Sequence, residues 1–191
     1  MKYNILIIGI DSCRKDSFQC YNPNRHTPFI QKFSEKSLIF GNYITTVTNT
    51  YQSWGCLFTG KYSFNSGIGI KPKEELCVKL MGKVFLDNGY YVKIGDCGHY
   101  QAMGSEVEYV QSKGELKEPF FIFIGTSNAH VPYYLSDETF FKSNRKELIE
   151  AHNKTVENLD GVIKEYVEKY LKYENTIIIL TADHGDLIID G

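Results

Sequence analysis

Two carboxylates and an imidazole stand where α/β proteins commonly place their chemistry. Asp183 and His184, followed by Gly185, come directly after the apolar run Thr176-Ile177-Ile178-Ile179-Leu180-Thr181. Such a run reads as a buried parallel strand, and an acid beside an imidazole at its C-terminal end is a place for a metal ion. Asp11 follows a run of the same kind, Asn4 to Ile10 (NILIIGI). If the two runs are neighbouring parallel strands, Asp11 and Asp183 meet at one sheet edge; taken alone, Asp11 reads equally as the cap of a turn or helix. His130 lies just past a third apolar run, Pro119 to Gly125 (PFFIFIG). A single histidine there is ordinarily a hydrogen-bonded loop residue, but its place repeats that of Asp11 and His184. In the polar loop Ser12 to Asp16, Arg14 either positions a substrate anion or is solvated.

The elements that would carry these residues alternate. Thr27-Pro28 opens a helix with proline in its first turn and Phe29, Ile30 and Phe33 at helical spacing. Ser37 to Tyr43 (SLIFGNY) reads as a short strand. The hydroxyl-rich stretch from Thr45 then turns apolar and stops at Thr59-Gly60, which predicts a loop, a helix start near Thr50, a short helix and a glycine stop. By spacing alone Thr50 is first a helix cap. A helix over Glu74 to Asn88 leads into a strand at Tyr90 to Gly95, and Asp96 to Gly114 reads as a loop. Arg145 to Lys172 is one long amphipathic helix, in whose apolar stripe His152 is core. Strands alternating with helices give an α/β fold with a mainly parallel central sheet flanked by helices.

With 191 residues, 42% of them hydrophobic, the chain can bury a core as one domain. A net charge of -2 and a pI near 6.2, with the charges interspersed, argue against a nucleic-acid partner or a polybasic membrane surface. The cysteines, Cys13, Cys20, Cys56, Cys77 and Cys97, are odd in number and lack a CxxC pair, so a reducing compartment is the simpler reading. With no signal-peptide core and no run of membrane-spanning length, a cytoplasmic location is expected.

Taken in order, these segments resemble the N-terminal domain of the sulfatase family, within the alkaline phosphatase superfamily. The resemblance runs through IIGIDSCRKD, Thr27-Pro28 and its helix, Leu57-Phe58-Thr59-Gly60-Lys61-Tyr62, Leu86-Asp87-Asn88-Gly89-Tyr90, His130-Val131-Pro132, Asn158-Leu159-Asp160, and Asn175-Thr176 to Asp183-His184-Gly185. Counting back from Thr59-Gly60, Thr50 occupies the position at which sulfatases hold the cysteine or serine that becomes formylglycine. Threonine cannot be processed to that aldehyde, and Cys56 lies six positions too late. Thr50 instead resembles the threonine nucleophile of phosphate-handling relatives: nucleotide pyrophosphatase/phosphodiesterases, lipoteichoic acid synthases and phosphoethanolamine transferases. Where sulfatases carry an arginine four residues after the nucleophile, this chain has Trp54, and the Gly-Lys-x-His element is here Gly95-Asp96-Cys97-Gly98-His99.

The resemblance implies a metal-dependent hydrolase or transferase of phosphate mono- or diesters, with a sulfuric ester hydrolase as the alternative. A non-catalytic remnant serving as a binding module is the alternative of another class. Asp11, Thr50, Asp183 and His184 would hold one divalent metal ion; that O,O,O,N set suits zinc or manganese first, calcium or magnesium next. A second metal would need an acid four residues before the histidine, where Thr126 precedes His130. Thr50 and His130 are the candidate catalytic residues, and Arg14, Gln52, Lys61 and His130 the candidate substrate contacts. Backbone N–H groups around Tyr51 to Ser53 would hold a phosphoryl oxygen. The expected substrate is a small-molecule, glycan-linked or lipid-linked phosphate or sulfate ester. Family members are typically more than twice this length, so residues 1–191 are read as a single sulfatase-like catalytic domain lacking its C-terminal subdomain, prone to self-association or to completion by that segment.

Overall fold

A computed structural model describes residues 2–68, 79–95 and 111–186. Among them β1 (Asn4–Ile10), β2 (Tyr91–Gly95), β3 (Phe120–Thr126) and β4 (Thr176–Ala182) form one sheet in the order β2-β3-β1-β4. Every pairing is parallel, with Ile10 opposite Thr126 on one side and opposite Ala182 on the other. The sheet therefore delivers the residues after β1, β3 and β4 to one edge.

Alternation along β1 builds both layers of the core. Leu6, Ile8 and Ile10 face one way, and with Phe120 and Ile122 they pack against Ile30 of α1 (Pro28–Ser34). Val156, Leu159, Ile163 and Val167 cover the same face from the 27-residue helix Arg145–Leu171, here α6. A capping box between Asn144 and Glu147 starts α6, satisfying N–H groups that the first turn leaves without helical partners. The Asp160 carboxylate, projecting from α6, accepts the Phe29 and Ile30 N–H groups at 2.9 Å each and so caps α1 across the interface. On the other face Ile7, Phe121, Phe123, Val92 and Ile94 meet Trp54 and Phe58 of α2 (Thr50–Thr59). Trp54 stacks edge-on against Phe123, 5.2 Å between centroids, and lies directly over Gly9. A Cβ there would come within 2.4 Å of Trp54 Cη2 and 2.7 Å of Phe123 Cζ, so glycine at position 9 is what lets α2 seat on the sheet.

Three readings from sequence change. Ser37 to Tyr43 forms no strand: the chain there is irregular, with Leu38 at 88% exposure and Phe40 and Tyr43 also exposed. Hydrophobic composition marked a strand, but no neighbour among the described residues pairs with it. β4 is parallel yet not buried on both faces: Ile177 and Ile179 are 45% and 42% exposed, because the layer that carries α2 stops short of β4. Asn49, rather than Thr50, caps α2, accepting from Gln52 N–H, while Gly60 ends the helix in the left-handed conformation at φ 65°.

Of the expected helix over Glu74 to Asn88, α4 (Met81–Asp87) is found, with Lys79 and Leu80 non-helical before it; residues 74–78, Cys77 among them, lie outside the described ones. Asp96, Cys97, Gly98 and His99 also lie outside, as does most of the Asp96 to Gly114 loop. Short helices α3 (Ser63–Ser66) and α5 (Asp137–Lys142) were not foreseen. Among the described residues no helix is long and apolar enough to cross a membrane.

Candidate active site

The edge common to β1 and β4 brings Asp11, Asp183 and His184 together, and the first turn of α2 adds Thr50. Asp11 and Asp183 are buried, and one ligand atom from each of Asp11, Asp183 and His184 lies within 4.8 Å of the other two. Thr50 Oγ1 is 3.2 Å from Asp11 Oδ1 and 3.0 Å from His184 Nε2. His184 Nδ1 sits 2.7 Å from the Gly185 carbonyl oxygen, which can only accept, so the ring proton belongs on Nδ1. Nε2 then presents its lone pair to Thr50, 3.6 Å from Asp183 Oδ2 and 3.9 Å from Asp11 Oδ1.

Ser12 holds the two carboxylates apart and in place. It adopts a left-handed conformation at φ 58°, from which its N–H donates to Asp183 Oδ1 at 3.0 Å and its hydroxyl donates to Asp11 Oδ1 at 2.9 Å. His184 N–H donates to the same Asp183 oxygen at 2.7 Å. Behind, the Asp183 carbonyl accepts from Thr45 Oγ1 at 2.6 Å and Ser53 Oγ at 2.7 Å, which ties the end of β4 to α2 and the segment before it. The remaining carboxylate oxygen, Asp183 Oδ2, is buried with no hydrogen-bond partner. Burial first, and the Asp11 charge second, push Asp183 up to about 6. A buried carboxylate pair, an unsatisfied oxygen and an imidazole lone pair directed into the cluster fit a divalent cation, whose charge would compensate both acids.

The other candidates do not join this cluster. Arg14 packs along Gly185, but its guanidinium is bidentate to Asp16 at 2.9 and 3.0 Å and also donates to the Asp186 carbonyl. The Asp16 bonds raise Arg14 and lower Asp16. Gln52 is half-buried, and both its N–H and that of Ser53 are already taken by Asn49, through the side chain and the carbonyl respectively. Of the N–H groups from Tyr51 to Ser53 expected to hold a phosphoryl oxygen, those of Gln52 and Ser53 are thus engaged within the helix cap. Lys61 lines a cavity of about 380 Å³ with Leu57, Tyr62, Ser53 and Asp183, behind the carboxylate cluster. His130 lies on the turn after β3, its Nδ1 2.9 Å from the Val131 carbonyl oxygen and its ring outside the ligand group. Trp54, at 2% exposure, belongs to the core and brings no charge to the site.

Ser12 is the residue that sequence reasoning missed. A serine after a strand-end acid carries no signal of its own. Thr45 and Ser53 had a faint one, the run of hydroxyls before the helix.

The sequence profile of the family described as Sulfatase matches residues 3–99 and 101–190. No curated protein matches the chain by sequence. Among solved structures, a 2-O GAG sulfatase superposes with TM-score 0.78 at 16% identity, over 98% of this chain and 59% of that one. The phosphonate monoester hydrolase of Agrobacterium radiobacter gives TM-score 0.68 at 13% identity, over 98% and 63%. The lipoteichoic acid synthase LtaP from Listeria monocytogenes gives 0.71 at 10% identity, over 96% and 56%. The chain thus spans about 60% of the length of these structures.

Proposed function

The chain belongs to the sulfatase family, and from that premise we propose that it is a metal-dependent hydrolase or transferase of phosphate mono- or diesters with Thr50 as nucleophile. The observation that carries the reading is the Thr50 hydroxyl, which faces Asp11 Oδ1 at 3.2 Å and His184 Nε2 at 3.0 Å from the first turn of a helix. A threonine hydroxyl is a weak nucleophile at neutral pH and needs a proton acceptor or a cation beside it. Asp11, Asp183 and His184, with Thr50 Oγ1, would hold one divalent ion, zinc or manganese by donor type. Bound there, the ion would favour the alkoxide and neutralise the anionic ester.

The chain's own residues supply the rest. Thr50 Oγ1 bonds to phosphorus as its proton passes to the Asp11 carboxylate it donates to, the bond from phosphorus to the leaving oxygen breaks in line, and a phospho-threonine results while the leaving oxygen departs as the alcohol or alkoxide. Water or an acceptor alcohol then takes the phosphoryl group and returns Thr50. His130, on the turn after β3, is assigned to the departing oxygen. Residues 1–191 act in this reading as one catalytic domain, with the ester carried on a small molecule, a glycan or a lipid. Phosphorus is preferred over sulfur because Thr50 cannot become formylglycine and Trp54 stands, buried, where sulfatases carry an arginine.

The test is turnover of p-nitrophenyl phosphate, bis(p-nitrophenyl) phosphate and p-nitrophenyl sulfate by zinc- or manganese-loaded protein, with Thr50→Ala alongside. A loss of about a thousandfold or more in kcat/KM on a phosphate ester is expected. Unchanged turnover in Thr50→Ala ends the nucleophile assignment. A metal-loaded wild type that turns over none of the three esters moves the reading to a binding module.

A further inference from the structure

Behind the carboxylate pair runs a buried chain of hydrogen bonds that the chemistry above does not use. His152, on α6 and fully buried, places Nε2 3.1 Å from the Ser12 carbonyl oxygen and Nδ1 3.2 Å from Ser17 Oγ. Ser17 Oγ is in turn 2.8 Å from the Asn153 side-chain amide. Tyr133 packs edge-on against the imidazole, 5.3 Å between centroids. The direction of the chain follows from what each group can do. The Ser12 carbonyl can only accept, so His152 Nε2 carries a proton. Burial pushes the imidazole down, which favours the neutral ring and leaves Nδ1 as an acceptor for the single Ser17 hydroxyl proton. Ser17 Oγ then needs a donor, and turning the Asn153 amide end for end supplies one. That turn brings the Asn153 Nδ2 group, otherwise buried without a partner, onto Ser17 Oγ and puts Oδ1 in its former place.

The far end of this chain matters more. Ser12 stands at φ 58°, a conformation that a serine adopts only when its surroundings hold it there. In that conformation its N–H reaches Asp183 and its hydroxyl reaches Asp11. We propose that His152 is a positioning residue for the metal centre: its Nε2–H, donated to the Ser12 carbonyl, fixes Ser12 so that one residue orients both carboxylates. α6, which contributes no ligand to the cluster, thereby sets the geometry of the ligands. The role rests on the reading of Asp11, Asp183 and His184 as a metal centre, and it resembles the general dependence of metal ligands on the groups hydrogen-bonded behind them.

The test separates the two ideas. A glutamine amide nitrogen reaches about as far as imidazole Nε2 and an asparagine amide about as far as Nδ1. His152→Gln therefore keeps the donor to Ser12, His152→Asn keeps only the Ser17 side, and His152→Phe keeps only the bulk. Zinc and manganese are titrated into each protein by calorimetry with chelator competition, and melting is followed in chelator. Metal affinity is expected to fall about tenfold to a hundredfold in His152→Phe and His152→Asn and to stay within about threefold in His152→Gln. In wild type, nitrogen NMR is expected to show His152 as the neutral Nε2–H tautomer, a readout that needs no variant to fold. A role confined to packing would change melting and leave the order of the affinities flat; equal affinities across the variants, or an Nδ1–H tautomer, overturn the proposal. Asp183→Asn is the control. A wild type that binds no metal, or binds it no better than Asp183→Asn, overturns the metal reading itself and this role with it.

Discussion

Replacing Asp183 with asparagine should make the metal-free protein more stable while removing its response to metal. Asp183 Oδ1 accepts from the Ser12 and His184 N–H groups, and an asparagine oxygen can keep both. The atom exchanged is Oδ2, which has no hydrogen-bond partner, so the substitution breaks no existing bond and removes one of the two negative charges of the pair. The gain can be worked two ways. Two unit charges within 4.8 Å repel by about 3 kcal/mol at an effective dielectric near 20. A carboxyl raised from 3.8 to about 6, by burial first and by that same Asp11 repulsion second, implies a total penalty of about 3 kcal/mol at neutral pH. The sign follows from the shift: a folded-state value above the unfolded one means stability is highest below about pH 4 and falls as pH rises through about 6. Urea denaturation in chelator from pH 4 to pH 7 should therefore show the two proteins converging at the acid end and Asp183→Asn ahead by up to about 3 kcal/mol at pH 7. With zinc at a hundred times its dissociation constant, wild type should gain about 2.7 kcal/mol and the variant almost nothing. A variant less stable than wild type at pH 7, a difference independent of pH, or equal stabilisation by zinc would each refute the picture of a repelling pair awaiting a cation.

Two further outcomes concern the frame around the site. Asp160→Ala leaves two N–H groups of α1 without their charged acceptor and should cost about 3 kcal/mol in urea unfolding, with Asp160→Asn recovering about half through its one remaining oxygen. Gly9→Ala drives a methyl into the Trp54 ring and should cost about 1–3 kcal/mol; in a Trp54→Leu background the same change should cost under about 1 kcal/mol, a coupling that a double-mutant cycle reads directly.

How much of this was legible depended on whether the cause was local. β1 and β3 declared themselves because a strand buried on both faces must be apolar along its length, and Asn4–Ile10 is found as expected to the residue. Arg145–Leu171 was equally plain, since an amphipathic stripe of that length has one stable use. The same rule misled at Leu38-Ile39-Phe40, where apolar residues lack any pairing edge among the described ones, and at Ile177 and Ile179, where one face goes uncovered. Convergence of Asp11 with Asp183 could be anticipated from two matching runs, and adjacency of β1 and β4 brings them together. What could not be anticipated is the arrangement behind them. Ser12 acts through a positive φ and His152 through a contact 140 residues distant, and neither a backbone angle nor so remote a partner leaves a mark on local composition.

The position of β1 in the sheet has a consequence in time. Its partners begin at residues 121 and 176, and the Ser12 to Asp183 bond closes a loop of 171 residues, so the first strand made is the one that waits longest. At roughly 5–20 residues per second of synthesis, that wait is on the order of ten to thirty seconds; the β3 edge of the strand stays open until Thr126 is made and the β4 edge until Ala182 is made. Long-range parallel pairing is slow even for a finished chain. Asp11 and Asp183 meet only when β4 docks, so a cation held by this pair acts on the last step of sheet assembly and on none of the earlier ones.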